Sequence, residues 1–475
     1  MRSILRSATL SAALLVALSA AAAPPKETRI PETAVTTATA LRDGMLQDRT
    51  AWQVLESLTT EVGPRLAGSE ADARAVRWAE AKFKALGYDR VWLEPVSFPK
   101  WVRRGEHAEV VGDHAQPLRL TALGGSPGGA VEGEVVRFPD LAALEAAPAG
   151  SLAGKIAFID FAMARARDGA GYAIGSRIRT RGPSAAIRAG AIAYVMRSAG
   201  TDSHRNPHTG ITRFDDGLTP IPAAALSAPD AQQLARLVAL GKPVRIRVAL
   251  DCGWDGEAQS FNVIGEVRGR GKPDEVVLIG GHLDSWDLGT GAIDDGAGVA
   301  ITMAAGHAIA QLPKAQRPAR TIRVVAFANE ERGLFGGKAY AEAHRADVAK
   351  HQIVVESDFG AGRIYGFNTS GAPQAKAAAA KIAEVLRPLG IEPMDKGDAG
   401  PDVGAIAELG AAWAWLGQDG TDYFDLHHTP DDTLDKVDPA ALAQNAAAYA
   451  TFVYLAASAD GDFGSAPKPA EEKKP

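Results

Sequence analysis

Cysteine is nearly absent. Cys252 is the only one in 475 residues, so no intramolecular disulfide can form, and no cysteine follows the N-terminal apolar segment to carry a lipid. Cys252 itself reads as a small buried apolar side chain. Runs of the roughly 20 apolar residues that a spanning helix needs are also missing. The shorter run from about Ala8 to Leu18 follows Arg2 and Arg6 and precedes A-x-A sites near Ala20 to Ala23, the pattern of a secretory signal peptide over residues 1–23. Positive charge is not in excess: the formal charge of −6 becomes about −8 without Arg2 and Arg6, which excludes a basic footprint for nucleic acid or an anionic membrane. No H-E-x-x-H helix occurs, so a thermolysin-type zinc site is excluded, and no internal repeat stands out. A disulfide-free exported chain fits a bacterial periplasm or the medium, where a large core supplies the stability.

With 46% hydrophobic and 23% charged residues, the chain has the composition of a soluble globular protein with room for two domains. After a linker, apolar spacing predicts a helix from Thr50 to Val62. A second follows from Glu70 to Leu86, capped by Ser69 and stopped by Gly87. A strand begins at Arg90 with RVWLE. The continuous apolar runs VVLIG from Val276 and TIRVVAFA from Thr321 are separated by a helix-length segment, about Gly298 to Leu312. That order argues for buried parallel strands in an α/β sheet. From about Pro117 to Val248 the composition turns to Gly, Ala and Pro, with short β-like runs around the helical SAAIRAG. This reads as a second domain, 117–248, inserted into a first that comprises 40–116 and 249–460, with loops that overhang the sheet edge. The tail, 461–475, is Pro- and charge-rich and is expected to fray.

Acids and histidines recur where these strands end. His282 and Asp284 follow VVLIGG, Asp294 stands in GAIDDGAG, Glu330 and Glu331 follow VVAFAN, Asp358 follows IVVES, and His428 follows AAWAWL in DLHHTPDD. In open α/β sheets, sites form beyond the carboxyl ends of the strands. Any one of these residues alone would pass for a solvated loop group; together they supply the ligands and the spare carboxylate that a two-zinc hydrolytic centre needs. Asp295 beside Asp294 and His427 beside His428 leave a choice within each pair. Ser126, in Gly124-x-Ser126-x-Gly128, matches a nucleophile elbow, but Pro127 follows it and no helix pattern does. His204 and His208 read as residues of an exposed loop.

The segments GGHLDSWDLGTGAIDDGAG, ANEERGLFGG, ESDFG and HHTPDD closely resemble the M28 family of co-catalytic zinc aminopeptidases and carboxypeptidases. VGPRLAGS, LEPVSFPKW and NPHTGITRF are most similar to its carboxypeptidase Q branch, and GKIAFID with AAIRAGAIAYVM resembles that branch's inserted, β-rich protease-associated domain. The resemblance spans about Thr50 to Ala457. It implies a mixed, mostly parallel sheet flanked by helices, two zinc ions and a homodimer. His282 and Asp358 would bind one ion, Glu331 and His428 the other, and Asp294 both, with Asp284 orienting His282. The family pattern favours Asp294 over Asp295, and the following T-P-x-D favours His428 over His427. Glu330 is then the acid that takes a proton from the attacking water and returns it to the departing amine. Where the wider family has a tyrosine before the last ligand histidine this chain has His427, a departure suggesting that His427 donates a hydrogen bond to the tetrahedral intermediate. The implied activity is that of an exported exopeptidase acting on dipeptides or short peptides with a free N-terminus. The same motifs serve broad aminopeptidases on longer peptides; relatives that are binding modules have lost ligands that all stand here.

Overall fold

The computed structural model describes residues 26–468; the segment 1–23, expected from the sequence to be a signal peptide, and residues 469–475 lie outside the described residues. In chain order the large sheet holds β1 (Arg90–Val111), β2 (Gln116–Leu118), β3 (Leu120–Ala122), β4 (Gly129–Phe138), β5 (Lys155–Ile159), β6 (Ala193–Arg197), β7 (Ala223–Leu226), β8 (Arg245–Val267), β9 (Lys272–His282), β10 (Arg320–Phe327) and β11 (His351–Glu356). Their order across the sheet is β11-β9-β10-β8-β4-β5-β6-β7-β3, with β1 paired to β8 and β2 to β1. A small sheet of β12 (Ile364–Thr369), β13 (Glu392–Pro393) and β14 (Ala414–Gln418) stands apart.

The apolar runs become parallel strands because both of their faces are covered. β9 is parallel to β10 and to β11. Val277, Ile279, Val324 and Val355 face the helices Ala297–Ala310 and Pro439–Ser458, while Val276, Leu278, Val325 and Val354 face the helices Phe335–Ala343 and Pro401–Glu408. Successive side chains thus enter opposite cores, the period-2 rule applied to a sheet buried on two sides. The helix Glu70–Ala85 starts where Ser69 Oγ accepts the Asp72 N–H at 3.1 Å. Among the described residues, no helix is long and apolar enough to cross a membrane.

Three local expectations need correction. The strand at Arg90 is 22 residues long, because β8 pairs with it antiparallel along its length, with register shifts at Pro99/Trp101 and Arg103/Gly105; Pro95, Pro99 and Gly105 obscure that length in the sequence. The stretch before Thr50 is a helix, Glu32–Met45, that buries Ala34, Ala38 and Met45, and it packs on Pro439–Ser458. The start of the tail does not fray: Phe463 is buried, Ala466 N–H donates to the Gly410 carbonyl at 3.0 Å and Lys468 N–H to that of Leu409 at 2.9 Å.

Strands β4, β5, β6 and β7 are mutually parallel and carry the helices Tyr172–Arg188 and Ala228–Ala239. β8 pairs with β4 through residues 245–250 and with β10 through residues 263–267, so one strand runs through both parts of the molecule. The core beside β4 also takes Leu66, Trp101, Leu250 and buried Cys252 from outside 117–248.

Arg65, in the GPRLAG break, is fully buried. Its guanidinium donates to the carbonyl oxygens of Leu283 at 2.5 Å, Thr290 at 2.6 Å and Gly291 at 2.9 Å, and its main-chain N–H donates to Ser285 Oγ at 3.2 Å. All four partners belong to the loop between β9 and the helix Ala297–Ala310. Burial works against the charge, and the carboxylates of Asp432, Asp284, Asp295 and Asp294 oppose that effect. Replacing Arg65→Met leaves three buried carbonyls without donors and is expected to lower stability by at least about 3 kcal/mol, measured by chemical denaturation. A change below about 0.5 kcal/mol, the scale of an ordinary surface substitution, would show that the loop holds itself.

Candidate metal centre and catalytic cleft

The parallel strands deliver their ends to one edge. His282 is opposite Phe327 in the β9–β10 register, and Glu356 is opposite Gly280 in the β9–β11 register, so His282, Glu330, Glu331 and Asp358 leave the sheet side by side. Asp294 comes from the turn before the helix Ala297–Ala310, and His427 and His428 from the loop after β14. Among the described residues, the non-glycine positions with left-handed φ are Asn329 at 51°, Leu334 at 58° and His428 at 63°. They bracket the two glutamates and end the histidine pair, which fits the tendency of such backbone to occur at functional sites.

Asp294 stands between two histidines. His282 Nε2 lies 3.0 Å from Asp294 Oδ1 and 3.6 Å from Asp358 Oδ1; His428 Nε2 lies 3.1 Å from Asp294 Oδ2 and 3.0 Å from Glu331 Oε2. Asp295, by contrast, points to the backbone. Its two oxygens accept the N–H groups of His282 and Gly298, each at 3.0 Å, and a Cβ on Gly281 would stand 2.4 Å from Asp295 Oδ2, so glycine is needed there. Asp432 holds the Asp294 turn by accepting from Ala292 at 2.7 Å, Ile293 at 2.7 Å and Asp294 at 3.2 Å.

The donor set fits metal ions. His282, Asp294 and Asp358 form one group, and Asp294, His427 and His428 another, each with donor atoms within 4.8 Å of one another. Asp294 belongs to both. Asp294 Oδ2 and Glu331 Oε1 are buried without hydrogen-bond partners, as ligand atoms would be. Metal-bound histidines donate their second ring nitrogen to an acceptor. His282 Nδ1 has one, the Asp284 carbonyl at 3.0 Å, and His428 Nδ1 has another, the Thr209 carbonyl at 3.2 Å. His427 Nδ1 is buried without a partner, which separates it from the other two. Its ring stacks on that of His428, with centroids 3.5 Å apart, and its Nε2 is 3.5 Å from Asp294 Oδ2.

Asp284 supports the site differently from a simple carboxylate–imidazole contact. Its backbone carbonyl is nearer His282 Nδ1 than its carboxylate, which lies 3.6 Å from that nitrogen and accepts the Glu330 N–H at 3.0 Å. Burial pushes the Glu330 carboxyl well above its usual range; Asp358, Glu331 and Asp402 add to the effect and His282 opposes it. Burial and the neighbouring His428 hold His427 well below the usual histidine range, against the pull of Asp294.

The NPHTG segment departs most from its sequence reading. His204 is exposed, but His208 is buried, with Nε2 2.8 Å from Asp202 Oδ1, and the loop folds inward so that Thr209 N–H donates to the His428 carbonyl at 3.0 Å. The polar content of the segment suggested exposure, whereas His208 Nε2, Thr209 N–H and Thr209 Oγ1 find partners within the protein. Ser126 Oγ donates to the Pro127 carbonyl and accepts the Ala223 N–H, each at 2.9 Å, with no base beside it. Sequence reasoning overlooked Arg65, Thr209 and Tyr172 and gave Asp432 no task; only the T-P-x-D pattern hinted at the last. The cleft over these residues measures about 340 Å³. The catalytic side contributes Glu330, Phe359 and Tyr423, while Tyr172, Arg179, Ile211 and Arg213 come from the segment 117–248.

Residues 262–453 match Peptidase family M28. Carboxypeptidase Q of Mus musculus is 32% identical over 420 residues, 88% of this chain and 87% of that protein. The human Carboxypeptidase Q is 32% identical over 417 residues, 87% of this chain and 86% of that protein. Among solved structures, a Peptidase M28 precursor from Shewanella amazonensis is 48% identical with a TM-score of 0.89, covering 92% of this chain and 99% of that one. An aminopeptidase from Aneurinibacillus sp. strain AM-1, 22% identical with a TM-score of 0.62, shares the fold. With a relative this similar along nearly its whole length, and with two buried donor groups meeting at Asp294, the chain is a metallopeptidase and belongs to peptidase family M28.

Proposed function

We propose that this protein is an exported exopeptidase with two zinc ions that hydrolyses dipeptides and short peptides bearing a free N-terminus. The observation that carries the reading is Asp294 standing between two histidines, with Asp358 beside His282 and Glu331 beside His428, while Glu330 lines the same cleft. His282, Asp294 and Asp358 would hold one ion, and Asp294, Glu331 and His428 the other. When bound, the ions supply Lewis acidity, lowering the pKa of a water molecule and polarising the scissile carbonyl.

The protein's own groups do the rest. Glu330 accepts the proton of the attacking water on its carboxylate and passes it to the departing amine. Asp284, which accepts the Glu330 N–H, fixes the start of the Glu330-Glu331 pair, so that one carboxylate serves the metal site while its neighbour faces the cleft. His427, neutral and lining the cleft, donates from a ring nitrogen to the oxyanion of the tetrahedral intermediate. Tyr172 and Phe424 pack against its ring and exclude water there. The segment that supplies Tyr172 and Ile211 closes one side of the cleft, which favours short substrates. The similarity to Carboxypeptidase Q supports this choice over a broad aminopeptidase, as does the small cleft.

Chelation is expected to abolish turnover of an unblocked dipeptide and zinc to restore it; full activity in metal-free protein would refute the mechanism. Glu330→Gln removes the proton carrier and leaves every ligand in place, so turnover falls by about 10²–10⁴ with metal content unchanged. Glu331→Gln instead lowers zinc content, measured by elemental analysis. The reverse pattern would exchange the two assignments. Dipeptides are expected to be cleaved at least about tenfold more efficiently than hexapeptides of matched N-terminal sequence, a margin of roughly 1.4 kcal/mol. Equal kcat/KM values would move the assignment to a broad aminopeptidase.

A further inference from the structure

The cleft wall supplied by the segment 117–248 carries a buried arginine that makes no ion pair among the described residues. Arg179, on the helix Tyr172–Arg188, is only 6% exposed. Its Nε donates to the Ile211 carbonyl at 3.2 Å and one Nη donates to the Tyr172 hydroxyl at 2.9 Å. Neither partner is an anion, and among the described residues no carboxylate lies within ion-pair distance and Nη1 makes no hydrogen bond. Two other buried guanidiniums are ion-paired, Arg320 with Glu275 at 2.6 Å and Arg103 with Asp287 at 2.9 Å; Arg65 and Arg332 are buried with carbonyl partners only, but neither lines the cleft. Arginine keeps its charge at any working pH, so a desolvated guanidinium beside a cleft calls for an anion from outside the chain.

Its seat is built. The guanidinium lies over the Tyr172 ring, 5.4 Å from the centroid, and the same ring meets His427 edge-on at 5.0 Å. On its other side stands Gly210, where a Cβ would come within 2.4 Å of the guanidinium carbon. Arg179 is therefore held one aromatic ring away from His427, whose Nε2 lies 3.5 Å from Asp294 Oδ2. A second arginine of the wall, Arg213, is exposed and makes no ion pair among the described residues.

We propose that Arg179 is a specificity-determining residue that receives the α-carboxylate of a dipeptide, an inference that rests on the exopeptidase reading above. In a dipeptide that carboxylate is separated from the scissile carbonyl by only the amide nitrogen and one Cα, so it falls beside the reacting centre. A longer peptide presents a neutral amide carbonyl at the same place and leaves the guanidinium without its counter-charge. Selection for short substrates is then electrostatic as well as steric, and planar carboxylate recognition is the task for which arginine is better suited than lysine.

The test is equilibrium binding to zinc-loaded Glu330→Gln protein, which holds substrates without turning them over, using Ala-Ala, Ala-Ala-NH2 and Ala-Glu-NH2. The free acid is expected to bind about 10–100-fold more tightly than its amide, the range of a charged hydrogen-bonded contact. Adding Arg179→Gln should reduce that ratio to within about threefold, and Arg179→Lys should leave an intermediate value. Arg179→Lys also serves as the variant of record if Arg179→Gln fails to fold. Equal binding of acid and amide, or a preference that survives both substitutions, would overturn the proposal. It would also fall if only Ala-Glu-NH2 depended on Arg179, since the anion would then be an acidic side chain. Wild-type turnover of Ala-Ala and Ala-Ala-NH2, measured alongside, reports on the exopeptidase reading separately, because loss of both activities would sink that reading whatever the binding ratio.

Discussion

Like charges crowded at one sheet edge are the constraint around which the rest of the structure is arranged. Asp284, Asp294, Asp295, Glu331 and Asp432 are buried within one small volume, and an isolated buried carboxylate is strongly unfavourable. The protein meets this in distinct ways. Asp295 and Asp432 are consumed by backbone N–H groups, Asp284 by the Glu330 N–H, and Arg65 adds a fixed positive charge from beneath. Asp294 and Glu331 face imidazoles and each keeps an oxygen without a partner, as does Asp284 through its second oxygen. Oxygens and imidazoles so placed are suited to binding cations, so the energetics of the fold and the affinity for metal are linked.

The segment 117–248 contacts the candidate metal centre directly as well as lining the cleft over it. Thr209 and His428 exchange main-chain and ring hydrogen bonds, so a loop from one core fixes the tautomer of a histidine presented by the other. Tyr172 then sets the position of the His427 ring, and Arg179 lies across that tyrosine. Because β8 runs unbroken between the two parts, this wall is carried on a rigid strand and is not hung from a flexible linker. Preorganisation of that kind lets the polar groups be in place before substrate arrives.

Local pattern decided a good deal. Unbroken apolar runs at β9 and β10 mark strands buried on both faces, and the helix-length spacing between them requires a parallel crossover; those facts place His282 and Glu331 at one edge before any coordinates are known. Spacing by three and four with a serine cap specifies the helix Glu70–Ala85. Residue type at strand ends marked the acids and histidines as a set, because chemistry of this kind needs oxygen and nitrogen donors together. The family pattern favoured one member of each doublet, but only the tertiary structure supplies the physical difference between them. Asp294 and Asp295 are identical as residues, and the difference arises because one carboxylate meets two histidines while the other meets two backbone amides. His427 and His428 diverge for the same reason: only one of them finds a carbonyl for its second nitrogen, and that carbonyl comes from Thr209, 219 residues away along the chain. The partner of a buried polar group is set by packing across long loops, and no local pattern in the sequence encodes it.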